Sequence, residues 1–183
     1  MVDIFRVNGL SVFNVEQIPT HGGSLRVFAQ RSNTGIRPTE ESVTDLLALE
    51  VDMGMKSVDF YQGFEDDAES LKMSLLDFLL SSKEQSKKVA AYGAAAKGNT
   101  FLNYAGVKSD LISFVSDRNP AKQGKWMPGS HIPIVGEQQI KDELPDFVLI
   151  LPWNLQEEVS QQLSYIREWG AQFVVVQPNF RIW

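Results

Sequence analysis

AAYGAAAKGNTFLNY, Ala90–Tyr104, decides how this chain is read. Val89 to Tyr92 is an apolar run with the look of a strand, and Asn99 reads as the start of a helix. The turn between them then lies at a helix N-terminus. Free backbone N–H groups and the positive end of the dipole favour an anion there. Two standard phosphate loops can be compared with it. The dinucleotide fingerprint Gly-x-Gly-x-x-Gly finds Gly93 and Gly98 in its first and third places, but Ala95 in the second, where pyrophosphate normally approaches the backbone. The Walker pattern finds Gly93, Gly98 and Thr100, but Asn99 in place of its lysine. The strand DFVLILPWN closes on Pro152, Trp153 and Asn154 and offers no acid for magnesium. Nucleotide hydrolysis is therefore a poor reading. Lys97 is the distinctive residue, because the helix dipole opposes an ammonium at that place. Pairing with a phosphate is one explanation, and a solvated lysine on an ordinary strand–helix turn is the other. The loop alone weighs them equally.

Outward from this loop, residues 87–183 alternate between strand and helix. KVAAYG, LISFVSD, HIPIVG, DFVLILP and QFVVVQP are strand candidates; Asn99–Ala105, Gln138–Asp142 and Leu155–Trp169 are helix-like. Short, nearly continuous apolar strands between helices predict an α/β fold with a doubly wound, parallel, five-stranded, Rossmann-like sheet. Ligands of such sheets bind at the carboxyl ends of the strands, near the switch point. Asp117 follows the second strand, where a ribose contact lies in dinucleotide folds. The segment DRNPAKQGKWMPGSHIPI is long for a connection, as functional loops are. Its Lys122, Lys125, Trp126, Ser130 and His131 suit a polar ligand, or Trp126 simply lids the sheet edge. Asn154 follows the fourth strand, either as a ligand contact or as an N-cap, the commoner role.

Upstream, residues 1–30 hold two strand-like runs, LSVFNVEQI and SLRVFAQ, joined by PTHGG, which predicts a β-hairpin. Residues 31–86 read as a linker, RSNTGIRPTE, followed by two helices. Val43, Leu46, Leu47 and Leu49 line the first helix; Ala68, Leu71, Leu75, Leu76, Leu79 and Leu80 line the second. Gly54 separates the two.

Composition excludes several classes. The formal net charge over the 183 residues is −6, and no basic cluster marks a nucleic-acid face. With no cysteine and only two histidines, a thiolate or zinc site is not expected. MVDIFRVNGL mixes acid, base and amide and cannot form a signal-peptide core. No apolar run approaches the ~20 residues that span a bilayer. The expected location is the cytoplasm, with no membrane partner.

GAAAKGNTFLNY, SDRNPAKQGKWMPGSHIPI, PDFVLILPWN and THGGSLRVF together resemble the C-terminal part of the sugar C-methyltransferases, which use S-adenosylmethionine on nucleotide-linked deoxysugars. The matching blocks keep their order from about residue 9 to about residue 178. In that family a cysteine-rich zinc segment comes first, then a methyltransferase domain, then a doubly wound C-terminal domain. The nucleotide-sugar lies between the last two. The resemblance makes the hairpin the closing antiparallel pair of the methyltransferase sheet. It also implies that this chain is catalytically incomplete. The zinc cysteines and the cofactor loop are not in it, and none of Tyr61, Tyr92, Tyr104 and Tyr165 begins the family's Tyr-x-Glu-His motif. No catalytic residue, metal or cofactor is therefore assigned to this chain, and S-adenosylmethionine is expected on the domain that precedes it.

The resemblance implies a substrate site. Lys97 and the N–H groups around Gly98, Asn99 and Thr100 would meet the pyrophosphate. Ser24 and Arg26 would reach the same ligand, with Asp117 and Asn154 as further contacts; His21 either lines the reacting side or is a structural turn residue. The expected partners are a nucleotide-linked deoxysugar, an upstream methyltransferase domain and a second copy of the chain, paired through the hairpin edge. Two readings of other classes compete: a stand-alone nucleotide-binding module without catalysis, and a structural domain that assembles through its leucine-rich helices.

Overall fold

The computed structural model describes residues 1–20 and 22–183. His21 lies outside the described residues. The chain divides into two compact units, Met1–Phe64 and Glu65–Trp183. The stretch 31–86 is thereby shared, its second helix going with the second unit.

The first unit is built on the expected hairpin. Strand β1 (Leu10–Ile18) pairs antiparallel with β2 (Ser24–Arg31), from Leu10 opposite Arg31 to Ile18 opposite Ser24. The register slips between Val12 and Asn14, which leaves Phe13 as an extra residue. A bulge of this kind breaks the strict alternation of sides, so Val12 and Phe13 are both buried although adjacent. Phe13 rests 6.1 Å from Phe28, centroid to centroid, under the Arg37 guanidinium. Helix α1 (Val2–Val7), not anticipated from sequence, precedes the hairpin, and helix α2 (Glu41–Asp52) follows it. The bulge anchors α2: Glu40 N–H donates to Phe13 C=O at 2.9 Å and Ser42 Oγ to Asn14 Oδ1 at 2.8 Å.

The second unit is a mixed α/β sandwich. Helix α3 (Phe64–Glu84) leads into β3 (Val89–Tyr92), α4 (Ala96–Tyr104), β4 (Val115–Ser116) and β5 (Ile134–Val135). Then come α5 (Gln138–Glu143), β6 (Phe147–Ile150), α6 (Gln156–Gln162), β7 (Gln172–Val175) and β8 (Arg181–Ile182). The six-stranded sheet runs β5-β4-β3-β6-β7-β8, parallel except for β8. Five parallel strands were expected; the sixth is antiparallel and only two residues long. Such a strand carries no periodicity to read, and it exists because β7 is there to bond it, with Phe173 N–H donating to Trp183 C=O at 2.9 Å.

Both faces of the sheet are covered. Val89, Ala91 and Leu149 pack with Leu75 and Leu79 of α3 and Leu102 of α4. Ala90, Tyr92, Val148 and Ile150 pack with Ile140 of α5 and Val159 of α6. Every residue of β3 is buried for this reason, which is why the run reads as continuously apolar. Among the described residues, no helix is long and apolar enough to cross a membrane.

Two local expectations change. Helix α4 starts at Ala96, three residues before Asn99. The crossover between β4 and β5 is not a loose loop. Gly124 N–H donates to Ile134 C=O at 2.9 Å, Ile134 N–H to Lys125 C=O at 2.8 Å and Met127 N–H to Ile132 C=O at 2.8 Å. Met127, Ser130 and Ile132 are buried in it. The polar, glycine-rich lettering hid a folded-back ribbon closed in large part by backbone bonds.

Candidate functional site

The strand order reverses between β3 and β6, which lie in register from Val89 opposite Phe147 to Tyr92 opposite Ile150. The loops leaving these two strands, 93–95 and 151–154, meet at their carboxyl ends. Gly93 has φ +85°, and a Cβ there would stand 2.6 Å from Pro152 Cδ. A Cβ on Gly98 would stand 2.6 Å from Leu151 Cβ. Close packing against the β6 exit thus demands both glycines before any ligand is considered. The spacing that resembles a phosphate loop is in part the imprint of this contact.

The open end of α4 is its first turn. No side chain caps it, so its leading N–H groups have no partner within the helix. Asn99 N–H is already donated to Ala95 C=O at 2.9 Å, and the Thr100 hydroxyl turns back to Ala96 C=O at 3.2 Å. The donors free for a ligand are therefore those of Ala96, Lys97 and Gly98, two residues earlier than the Gly98–Thr100 set expected from sequence. Lys97 places its Nζ 4.6 Å from the centre of the Trp153 ring. Its ammonium is held by a π face and not by a carboxylate, so its charge is left uncompensated.

Asp117 is the best-partnered residue of the region. Its Oδ2 accepts from Ala94 N–H at 2.8 Å and from Lys122 Nζ at 3.0 Å, while Oδ1 accepts from Asn119 N–H at 2.8 Å. Lys122 Nζ also donates to Ala94 C=O at 2.9 Å. Burial by itself would raise the Asp117 pKa. The bonds from Asn119, Lys122 and Ala94 outweigh it and hold the carboxyl below its ordinary value. Both oxygens are engaged inside the protein, so Asp117 and Lys122 clamp the loop at Ala94. Sequence reasoning took Lys122 for a ligand contact; its clamp role follows from a five-residue spacing after Asp117 that only the folded turn makes meaningful.

Behind the β3 exit, Gln162 Nε2 donates to Tyr92 Oη at 2.7 Å and to Glu137 Oε2 at 2.6 Å. Burial raises the pKa of both Tyr92 and Tyr165. No sequence signal pointed to this set, whose members come from β3, α6 and the turn before α5.

Lys97, Gly98, Asn99, Thr100, Asp117 and Asn154 all lie at carboxyl ends of neighbouring strands in the second unit. Ser24 and Arg26 belong to the first. Ser24 Oγ donates to Thr20 C=O at 2.9 Å, and Arg26 Nη1 pairs with Glu16 Oε2 at 3.1 Å across the hairpin.

A family model described as the C-methyltransferase C-terminal domain matches residues 19–178. This chain belongs to that family. C-methyltransferase NovU of Streptomyces niveus is 34% identical over 181 residues, which is 98% of this chain and 42% of that protein. The chain thus spans less than half the length of this curated relative. In this C-methyltransferase C-terminal domain, the family match takes in the whole switch point, from the Gly93 turn to Asn154, together with the turn and second strand of the hairpin.

Proposed function

We propose that this domain holds the nucleotide-linked deoxysugar substrate of an S-adenosylmethionine-dependent sugar C-methyltransferase, on a doubly wound, Rossmann-like sheet. The methyl donor and the catalytic base would be supplied by a preceding methyltransferase domain, its partner in a cytoplasmic enzyme. One observation carries the reading: an uncapped helix start and an uncompensated lysine converge where the strand order reverses. Diphosphate is the group that such a place favours. Lys97 would give one charge-assisted bond, and the N–H groups of Ala96, Lys97 and Gly98 the remainder.

The switch-point residues do not fit a dinucleotide or the ribose of S-adenosylmethionine in the usual way. The acid that would take ribose hydroxyls, Asp117, has both oxygens bonded within the chain. This works against a module that reads a dinucleotide cofactor.

The test is a titration of thymidine diphosphate into the wild type and Lys97→Ala. A charge-assisted contact is worth about 1.5–3 kcal/mol, so Kd should rise roughly tenfold to a hundredfold. The difference should narrow with salt. Equal affinities would remove Lys97 from the site, and tighter binding of NAD than of thymidine diphosphate would overturn the substrate reading.

A further inference from the structure

The Trp153 ring that carries the Lys97 ammonium can do so only from a fixed place. Residues 153–155 form a single turn that runs directly into α6. Among the described residues, α6 buries only Val159. Apolar burial is non-directional, so one buried valine leaves the helix free to turn about its axis. Side chains reach about 5–6 Å from a helix axis, and a turn of about 20° therefore carries a side-chain tip about 2 Å. Lys97 Nζ is 4.6 Å from the ring centre, and the attraction needs a separation within about 6 Å. A displacement of that size is enough to release it.

The fixing comes from the far end of α6, on the sheet face away from α4. Gln162, the last residue of the helix, has its whole amide engaged. Nε2 gives one proton to Tyr92 Oη at 2.7 Å and the other to Glu137 Oε2 at 2.6 Å, and Oε1 accepts from Arg118 Nη1 at 3.2 Å. These partners stand at the end of β3, after β4 and before α5, so one side chain ties α6 to all three places. Glu137 is held in turn, its Oε1 accepting from Tyr165 Oη at 3.2 Å. Burial raises the pKa of both phenols, which therefore stay protonated and able to donate. Reversing the amide would set Oε1 against the Glu137 carboxylate and Nε2 against the Arg118 guanidinium, so its partners fix its orientation. Hydrogen bonds weaken steeply off line, and three on one amide stop the rotation that Val159 allows. We infer that Gln162 is a positioning residue: by fixing α6 it holds the Trp153 face under the Lys97 ammonium. The use of that pair on a diphosphate rests on the reading proposed above; its placement by Gln162 does not.

The test follows the indole N–H resonance of Trp153, assigned with Trp153→Phe, with the exposed Trp126 as internal control. The proteins are wild type, Lys97→Ala, Gln162→Met, Gln162→Glu, and the exchange that combines Gln162→Glu with Glu137→Gln. Gln162→Met keeps the length of the side chain and removes its three bonds. Gln162→Glu sets two carboxylates in contact. The exchange restores a donor between the two side chains and turns the carboxylate toward Arg118 and Tyr92. Gln162→Met and Gln162→Glu should move the Trp153 resonance as Lys97→Ala does, and the exchange should return it to the wild-type position. Calorimetry with inorganic pyrophosphate gives the second readout. Gln162→Met should weaken binding about twofold to tenfold and add nothing in a Lys97→Ala background. An unmoved Trp153 resonance in Gln162→Met, with or without a lowered Tm, overturns the inference. So does an exchange variant as displaced as Gln162→Glu. If Trp153 moves as expected while pyrophosphate binding ignores Lys97, the diphosphate reading fails and the positioning role stands.

Discussion

The two units of this chain solve the burial problem unequally. In the second, the sheet is covered on both faces and residues from five strands are sealed to near-zero exposure. In the first, a two-stranded sheet works alone. Among the described residues, Val12, Phe13 and Val43 are its only buried apolar side chains, while Met1, Ile4, Val7, Leu25 and Ile36 are exposed. Two strands are marginal by themselves in water, and helix α2 contributes only one buried residue to them. The same sequence therefore holds a closely packed frame and a lightly anchored hairpin. Their difference predicts a graded stability.

The largest effect should separate the two units. Phe173 of β7, 1% exposed and clustered with Val159 of α6, should cost about 3–5 kcal/mol when replaced by alanine. Val12→Ala in the hairpin should cost about 1–2 kcal/mol. Urea unfolding of the two variants measures both, and similar costs would break the contrast. Within the frame, Gly98→Ala should cost about 1–3 kcal/mol, because its methyl would press on Leu151. A variant as stable as wild type would mean that the β6 exit yields, and the packing explanation of the glycine would fall.

The smallest effect concerns protons. The Asp117 pKa is lowered in the fold, so its carboxylate stabilises the loop at all pH values above the ordinary aspartate range. That contribution is lost as pH falls through the lowered value. The Ala94 amide proton should titrate with a midpoint below 3.8, and Asp117→Asn should abolish the step. A midpoint at or above 3.8 in the wild type would show that Lys122 and the two N–H groups do not outweigh burial.

Much of this was legible in the letters. Continuous apolar runs such as VAAY and FVLI announce strands buried on both sides, because each successive side chain faces a different covering layer. The hairpin, the linker and the leucine stripes are likewise local patterns, and the small residues around Lys97 mark the strand–helix turn. Other features depend on residues far apart in sequence. Strand β8 exists through its bonds to β7. The crossover that looked loose is closed by backbone groups with no sequence signature. Gly93 and Gly98 are required by Pro152 and Leu151, more than fifty positions away. Asp117 has the right place for a ribose contact, and only the fold shows its oxygens turned to Ala94, Asn119 and Lys122. Periodicity records which side of an element is apolar. It carries no record of which donor reaches which acceptor, because hydrogen bonds act over about 3 Å and only tertiary structure brings those atoms within reach.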